Sequence, residues 1–177
     1  MTQRIATARE RPRSAAGHRC HQRGIAAIEF AFVFTFLFLA IYGIATFGAV
    51  LYVQQTVSRA AEDGARALSQ PSMMGLSDDA LRRQRVQDAI HESLAGSLVV
   101  PEASSADMAS RLGWIKSHVN VNVVLTGAGG SAPATGAVVT VAYPYSANRL
   151  LPTLPLLDTS RWMPDTLTGR TTAVLPS

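Results

Sequence analysis

The longest uninterrupted apolar run lies near the start of the chain: residues 30 to 53 read FAFVFTFLFLAIYGIATFGAVLYV, with no charged residue and no proline. As an α-helix it measures roughly 36 Å at 1.5 Å per residue, against about 30 Å of bilayer hydrocarbon, so it can cross a membrane once with some tilt. All six phenylalanines fall between positions 30 and 47, and those at 30, 32, 34, 36 and 38 imitate the period of a strand. A lone strand would leave its backbone unsatisfied in lipid, and a helix is predicted instead. Ala45, Gly48 and Ala49, joined by Gly43, form a small-residue face that a second helix can approach.

Helical periodicity outlasts the apolar run. In residues 54 to 68, QQTVSRAAEDGARAL, one stripe carries Val57, Ala60, Ala61, Gly64, Ala65 and Leu68, which predicts an amphipathic stalk continuing the membrane helix. Ser69-Gln70-Pro71 ends it, because proline restricts its predecessor and cannot continue the ladder. A second helix is expected from a Ser77 cap, with Asp78 and Asp79 in its first turn and Leu76 and Leu81 as a hydrophobic staple. Val86, Ile90 and Leu94 make its apolar line and Gly96 closes it.

Beyond Ser97 the signal turns to β. Val119, Val121 and Val123 alternate with Asn120 and Asn122, a half-buried strand. A flexible Gly- and Ala-rich stretch, 126 to 136, leads to a second strand at Val138 to Tyr143, making a long-looped antiparallel hairpin. Pro152, Pro155 and Pro164 mark loop, and Leu167 to Leu175 is expected to return as a third strand. The class is α+β: a single-pass membrane protein with a long N-terminal transmembrane and stalk helix, a second helix and a small antiparallel sheet.

Composition agrees with a membrane segment. Charged residues are 16% of the 177, hydrophobic residues 47%, and mean hydropathy is +0.15, whereas soluble domains average roughly 25% charged. The net charge of +4 is unevenly held. The first 24 residues carry six Arg and one Glu, and the remainder ten basic against eleven acidic side chains. Arg9, Arg11, Arg13, Arg19 and Arg23 before the span, with Arg59 and Arg66 after it, put the N-terminus in the cytoplasm by the positive-inside rule. The 24 uncharged residues exceed the 7 to 15 of a secretory signal's apolar region. With no basic excess beyond the leader, nucleic acid is not an expected partner. A single cysteine, Cys20, excludes an intrachain disulfide framework and a multi-cysteine metal centre.

The chemistry-bearing positions are few. His18, Cys20 and His21 sit together in a short basic tail unsuited to a divalent cation. His91 and His118 read as exposed or satisfied polar residues, and Asp78 and Asp79, being adjacent, fall on different helix faces. Ser131, in Gly127-Ala128-Gly129-Gly130-Ser131, fits neither a nucleophile elbow nor a phosphate loop. No enzymatic activity, metal or cofactor is expected.

More pointed is the junction Arg23-Gly24-Ile25-Ala26-Ala27-Ile28-Glu29-Phe30. A carboxylate inside a membrane helix costs about 2.5 to 3.5 kcal/mol at the helix centre and less near the interface, so Glu29 either snorkels to the headgroups or finds a cation. A basic leader, a Gly, four apolar residues, a Glu and an apolar helix resemble the prepilin signature of type IV pilin-like proteins. More narrowly, Arg23 to Leu68 is similar to the TadE-like family of Tad (Flp) pilus assembly proteins. Arg23-Gly24, Glu29-Phe30, the Leu51-Tyr52-Val53-Gln54-Gln55 exit and the run from Ala60 to Arg66 carry the likeness; Val139 to Tyr145 adds a weaker one. Thr35 departs from the proline that many members carry in the span.

The resemblance implies a pilin-like lollipop fold and processing by a membrane prepilin peptidase between Gly24 and Ile25. It also implies that Glu29, beside Phe30, sets assembly register by pairing with a neighbouring subunit's new α-amino group. The expected organisation is a basic cytoplasmic leader at 1–24, a transmembrane helix at 25–53, a TadE-like region at 23–68 and an extracytoplasmic α+β domain at 54–177. The expected function is that of a minor pseudopilin in a Tad/Flp-type pilus or related secretion filament. Its location would be the bacterial inner membrane, with the C-terminal domain periplasmic. Implied partners are the prepilin peptidase, other pilus or pseudopilin subunits, the inner-membrane assembly machinery and the lipid bilayer. The alternative is an uncleaved signal-anchor protein whose external domain binds a ligand or envelope component.

Overall fold

The computed structural model describes residues 20–70, 78–127, 135–152 and 162–174, with side chains from residue 24 onward. Its elements are α1 (Cys20–Leu68), α2 (Asp79–Ala95), a 3-10 turn (Glu102–Ser104), α3 (Met108–His118), β1 (Asn120–Thr126), β2 (Gly136–Tyr143) and β3 (Leu167–Val174). The class is α+β, as expected. Two compact units divide the chain between Ile44 and Ala45.

In the first unit every residue of α1 from residue 24 to residue 41 is exposed, and Tyr42 and Gly43 are partly covered. Phe30, Phe34, Phe38 and Tyr42 stack one turn apart, with ring centroids at 6.0, 6.4 and 6.4 Å. The even-numbered aromatics that imitate a strand are thus resolved by the helix, which brings i and i+4 together. At Thr35 the helix continues unbroken, the hydroxyl donating to Ala31 O at 2.7 Å. A serine or threonine can hydrogen-bond its own helix in this way; a proline would remove one backbone bond there.

In the second unit the predicted stripe is the core. Val53, Val57, Ala60, Ala61 and Leu68 of α1 are buried with Val86, Ile90 and Leu94 of α2. Burying each large aliphatic side chain is worth about 1.5 to 3 kcal/mol. Residues 54 to 68 thus continue the helix as an amphipathic segment, as expected: Gln55, Arg59, Glu62 and Arg66 face outward, and the apolar stripe is covered by α2 and by the sheet. Gly64 permits the closeness of the two helices, since a Cβ there would lie 2.6 Å from Ile90 Cγ1. Ser93 Oγ donates to Asp63 Oδ2 at 2.8 Å across the same contact.

The three strands form an antiparallel meander in the order β1-β2-β3. Val123 pairs with Val139, and Val141 with Gly169. On β2, Ala137, Val139, Val141 and Tyr143 alternate inward, as the period of a strand requires. Gly169 lies against the α1 backbone: an added Cβ would be 2.6 Å from Val57 O and 2.9 Å from Ser58 Cα. Gln54 Nε2 donates to Thr168 O at 2.9 Å beside it.

Several boundaries differ from the sequence reading. Asp78, not Ser77, caps α2, its carboxylate accepting from Ala80 N–H at 2.8 Å. Ser77 and Leu76 lie outside the described residues, as do Pro71, residues 128–134, residues 153–161, Leu175 and the leader through Arg19. Gly96 closes α2 in a right-handed conformation, its N–H donating to Glu92 O at 3.1 Å. Helix α3 was not anticipated. Its cap is Asp107, which accepts from Ser110 N–H at 2.6 Å, and Ile115 is its buried residue.

Candidate processing and assembly segment

The segment expected to hold the processing junction is helical. Gly24 and Ile25 lie in the second turn of α1, both solvent-exposed, and a Cβ placed on Gly24 would meet nothing within 4 Å. A bare glycine there weakens the helix by about 1 kcal/mol relative to alanine, which lowers the cost of opening the peptide bond to an enzyme. Glu29 is one turn beyond Ile25, on the same helix face. It is exposed, and among the described residues it has no ion-pair partner. Phe30 is 71% exposed and begins the aromatic ladder.

A cut at the expected position after Gly24 would create a charge pair. The new α-amino group on Ile25 and the Glu29 carboxylate would then be four residues apart at a helix N-terminus, where a carboxylate is stabilised by the helix dipole. The same two groups on adjacent helices can pair reciprocally. Either arrangement offsets the cost of holding a carboxylate near hydrocarbon.

The remaining chemistry-bearing residues lie in local contacts apart from this segment. His118 stacks on Trp114, centroids 4.5 Å apart and planes within 9°, and its Nδ1 lies 2.9 Å from Trp114 O and 2.8 Å from Ser117 Oγ. His91 is half-buried on α2. Burial first, and then the Lys116 ammonium, push its pKa below the ordinary 6.5, while Asp88 works the other way. Asp79 pairs with Arg82 at 3.6 Å. Among the described residues no group of three or more metal-ligating side chains forms; Ser131 and His18 lie outside them, as do the side chains of Cys20 and His21.

Two polar contacts, one part-buried and one buried, leave no pattern in the sequence. Arg111 of α3 donates through Nε to Ala95 O at 2.5 Å and through its terminal nitrogen to Ser97 O, satisfying carbonyls that the end of α2 leaves open. Tyr143 donates its hydroxyl to Val99 O at 2.9 Å, and burial, reinforced by Tyr145, pushes its pKa up to about 12. Both hold the turn that follows α2. Only an arginine or tyrosine facing a known helix end would have revealed them, and that requires the tertiary arrangement.

The family model of TadE-like proteins matches residues 24–66, beginning at the glycine of the junction and ending two residues before α1 does. The resemblance read from the residues is thus shown over that segment. Neither the curated proteins nor the solved structures include a match to this chain. Among the described residues, one helix is long and apolar enough to cross a membrane.

Proposed function

We propose that this chain, with its TadE-like segment at 24–66, is a minor pseudopilin of a Tad/Flp-type pilus or related secretion filament, anchored in the bacterial inner membrane. The observation that carries the reading is the coincidence of three features. The family match starts at Gly24; Glu29 stands one turn past Ile25 on the exposed helix; and the apolar span follows at once. A prepilin peptidase on the cytoplasmic side would cut between Gly24 and Ile25 and remove the Arg-rich leader together with Cys20. The freed helix end and Glu29, beside Phe30, would then fix the axial register against other pilus or pseudopilin subunits and the assembly machinery. The C-terminal domain, on the periplasmic side, would make lateral contacts. Its part in this is structural rather than enzymatic.

The mass of the mature protein from peptidase-containing cells tests the processing step. The expected N-terminus is Ile25, and a chain retaining Met1 through Gly24 would overturn it. Glu29→Ala is expected to leave cleavage intact and impair filament assembly; undiminished assembly would remove the register role. An uncleaved anchor with a ligand-binding domain is favoured by one feature, the cleft of about 640 Å³ that contains Leu98, Glu102, Arg111 and Arg149. Recovery solely as an intact membrane monomer would support that second reading.

A further inference from the structure

The last residue of the predicted apolar span is already a core residue: Val53 is fully buried in the domain, and Val50 packs against the same cluster. No linker separates membrane-type sequence from folded domain. Yet the opposite side of this stretch is open and apolar, with Phe47 62% and Leu51 58% exposed. One flank of α1 between residues 45 and 53 is thus covered by protein while the other remains fit for hydrocarbon.

Beside this stretch stands a second apolar group from a distant part of the chain. Leu98 N–H donates to the Tyr52 hydroxyl at 3.3 Å, and the Leu98 side chain is 72% exposed. Leu98 shares its cleft with Leu150. The exposure does not come from a loose loop. Ser97 Oγ donates to Leu94 O at 2.6 Å; Arg111 holds the carbonyls of Ala95 and Ser97; Tyr143 holds Val99 O; and Val99 and Val100 are buried. The turn is fixed and presents one large aliphatic side chain outward.

We infer that Leu98, together with Leu150, Phe47 and Leu51, forms a lipid-contact surface by which the domain is partly immersed in the headgroup region of the membrane that α1 crosses. The spacing supports it. Tyr52 is 23 residues beyond Glu29, or roughly 34 Å of helix, so with Glu29 at one interface Tyr52 reaches the other, the level at which tyrosines concentrate. A rigid apolar prong tied to that tyrosine then lies among lipid headgroups and the first acyl carbons. The inference rests on the membrane anchoring proposed above, not on processing or filament assembly.

The test uses the full chain in vesicles of phosphatidylethanolamine and phosphatidylglycerol. On a Cys20→Ser background, Leu98→Cys, Phe38→Cys and Val174→Cys each carry an environment-sensitive fluorophore, and a fraction of the lipid bears a nitroxide just below the headgroup. Val174 is an exposed apolar control: it lines a groove with Arg66 and Ser69, roughly 20 Å or more along α1 from Tyr52. The Leu98 label is expected to be blue-shifted and quenched several-fold more than the Val174 label, and Leu150→Cys should repeat the result. Quenching at Leu98 no greater than at Val174, with Phe38 quenched, would overturn the lipid surface and leave the anchor standing. A blue shift without lipid quenching would assign the surface to contact with another copy of the chain and equally overturn the inference. An unquenched Phe38 label would remove the anchor, and this surface with it.

Discussion

Residues 24–44 and residues 45–68 belong to one helix, yet the first leaves its apolar side chains exposed while the second buries one stripe of them from Val53 onward. In the first stretch Phe30, Phe36 and Ile41 are each more than half exposed, and the aromatic rings touch only their neighbours one turn away. In the second, Val53, Val57, Ala60, Ala61 and Leu68 are covered by α2 and the sheet. Side-chain size tells them apart. Bulky Phe, Leu and Ile residues cover all sides of the first stretch, as lipid requires, whereas Ala and Gly on one stripe of the second let other elements approach its backbone. A helix that is apolar all round needs a bilayer, and one that is apolar on a stripe carries its solvent within its own fold.

The sharpest way to break this contrast is to make the same kind of truncation in the first stretch and in the core that faces the second. Ile90 is fully buried against α1, and Ile90→Ala is expected to destabilise the domain by about 2 to 5 kcal/mol. Phe34→Ala removes a larger side chain from a position more than half exposed, and the domain's unfolding midpoint should hold. Urea unfolding of the detergent-solubilised protein, followed by tryptophan fluorescence, reads both. An equal loss at the two sites would mean that residues 24–44 are part of the folding unit, and the contrast would fail.

Next in size is Gly169→Ala. The new methyl would meet backbone atoms of Val57 and Ser58, which cannot turn aside as a side chain does, so an overpacking cost near or above the upper end of about 1 to 3 kcal/mol is expected. Gly64→Ala places its methyl against the Ile90 side chain and gains about 1 kcal/mol of helix propensity, so its net cost should be smaller. The same urea midpoints check the order. A reversal would show that the α1–β3 contact is softer than the α1–α2 contact.

What could be read in advance follows from range. Periodicity over a few turns exposed the α1 stripe, the Val86, Ile90 and Leu94 line and the first strand, because each pattern depends on the residue and its near neighbours, and the Gly- and Pro-rich stretches between them bracketed the other two strands. Helix α3 escaped because Gly113 sits in its middle and Ile115 is its one fully buried residue, too little apolar signal for a stripe; the Asp107 cap was its clearest local mark. The partners of Gly169, Arg111 and Tyr143 were beyond reach for another reason: they are 112, 16 and 44 positions away, and a sequence carries no local trace of such pairings. The spacing of Gly24, Ile25, Glu29 and Phe30 is itself a local signal, and it pointed to the TadE-like segment that the family model matches at residues 24–66.

The smallest expected effect concerns pH and sharpens the contrast from the side of the domain. Folding half-buries His91 on α2, where desolvation and the Lys116 ammonium favour the neutral ring over the opposing pull of Asp88. Lys116 and Asp88 also pair with each other at 3.4 Å, so the charge facing the imidazole is largely balanced and burial dominates. With the folded pKa below the unfolded value near 6.5, the unfolded chain binds a proton first as acid is added. The domain's stability is therefore complete above that value and declines as pH falls through the interval down to the folded pKa. His91→Gln, neutral at every pH, should flatten this part of the urea-midpoint profile while leaving any decline at carboxylate pKa values in place. Partial exposure of the ring keeps the effect modest. An unchanged slope in the variant would assign the pH dependence to groups other than His91.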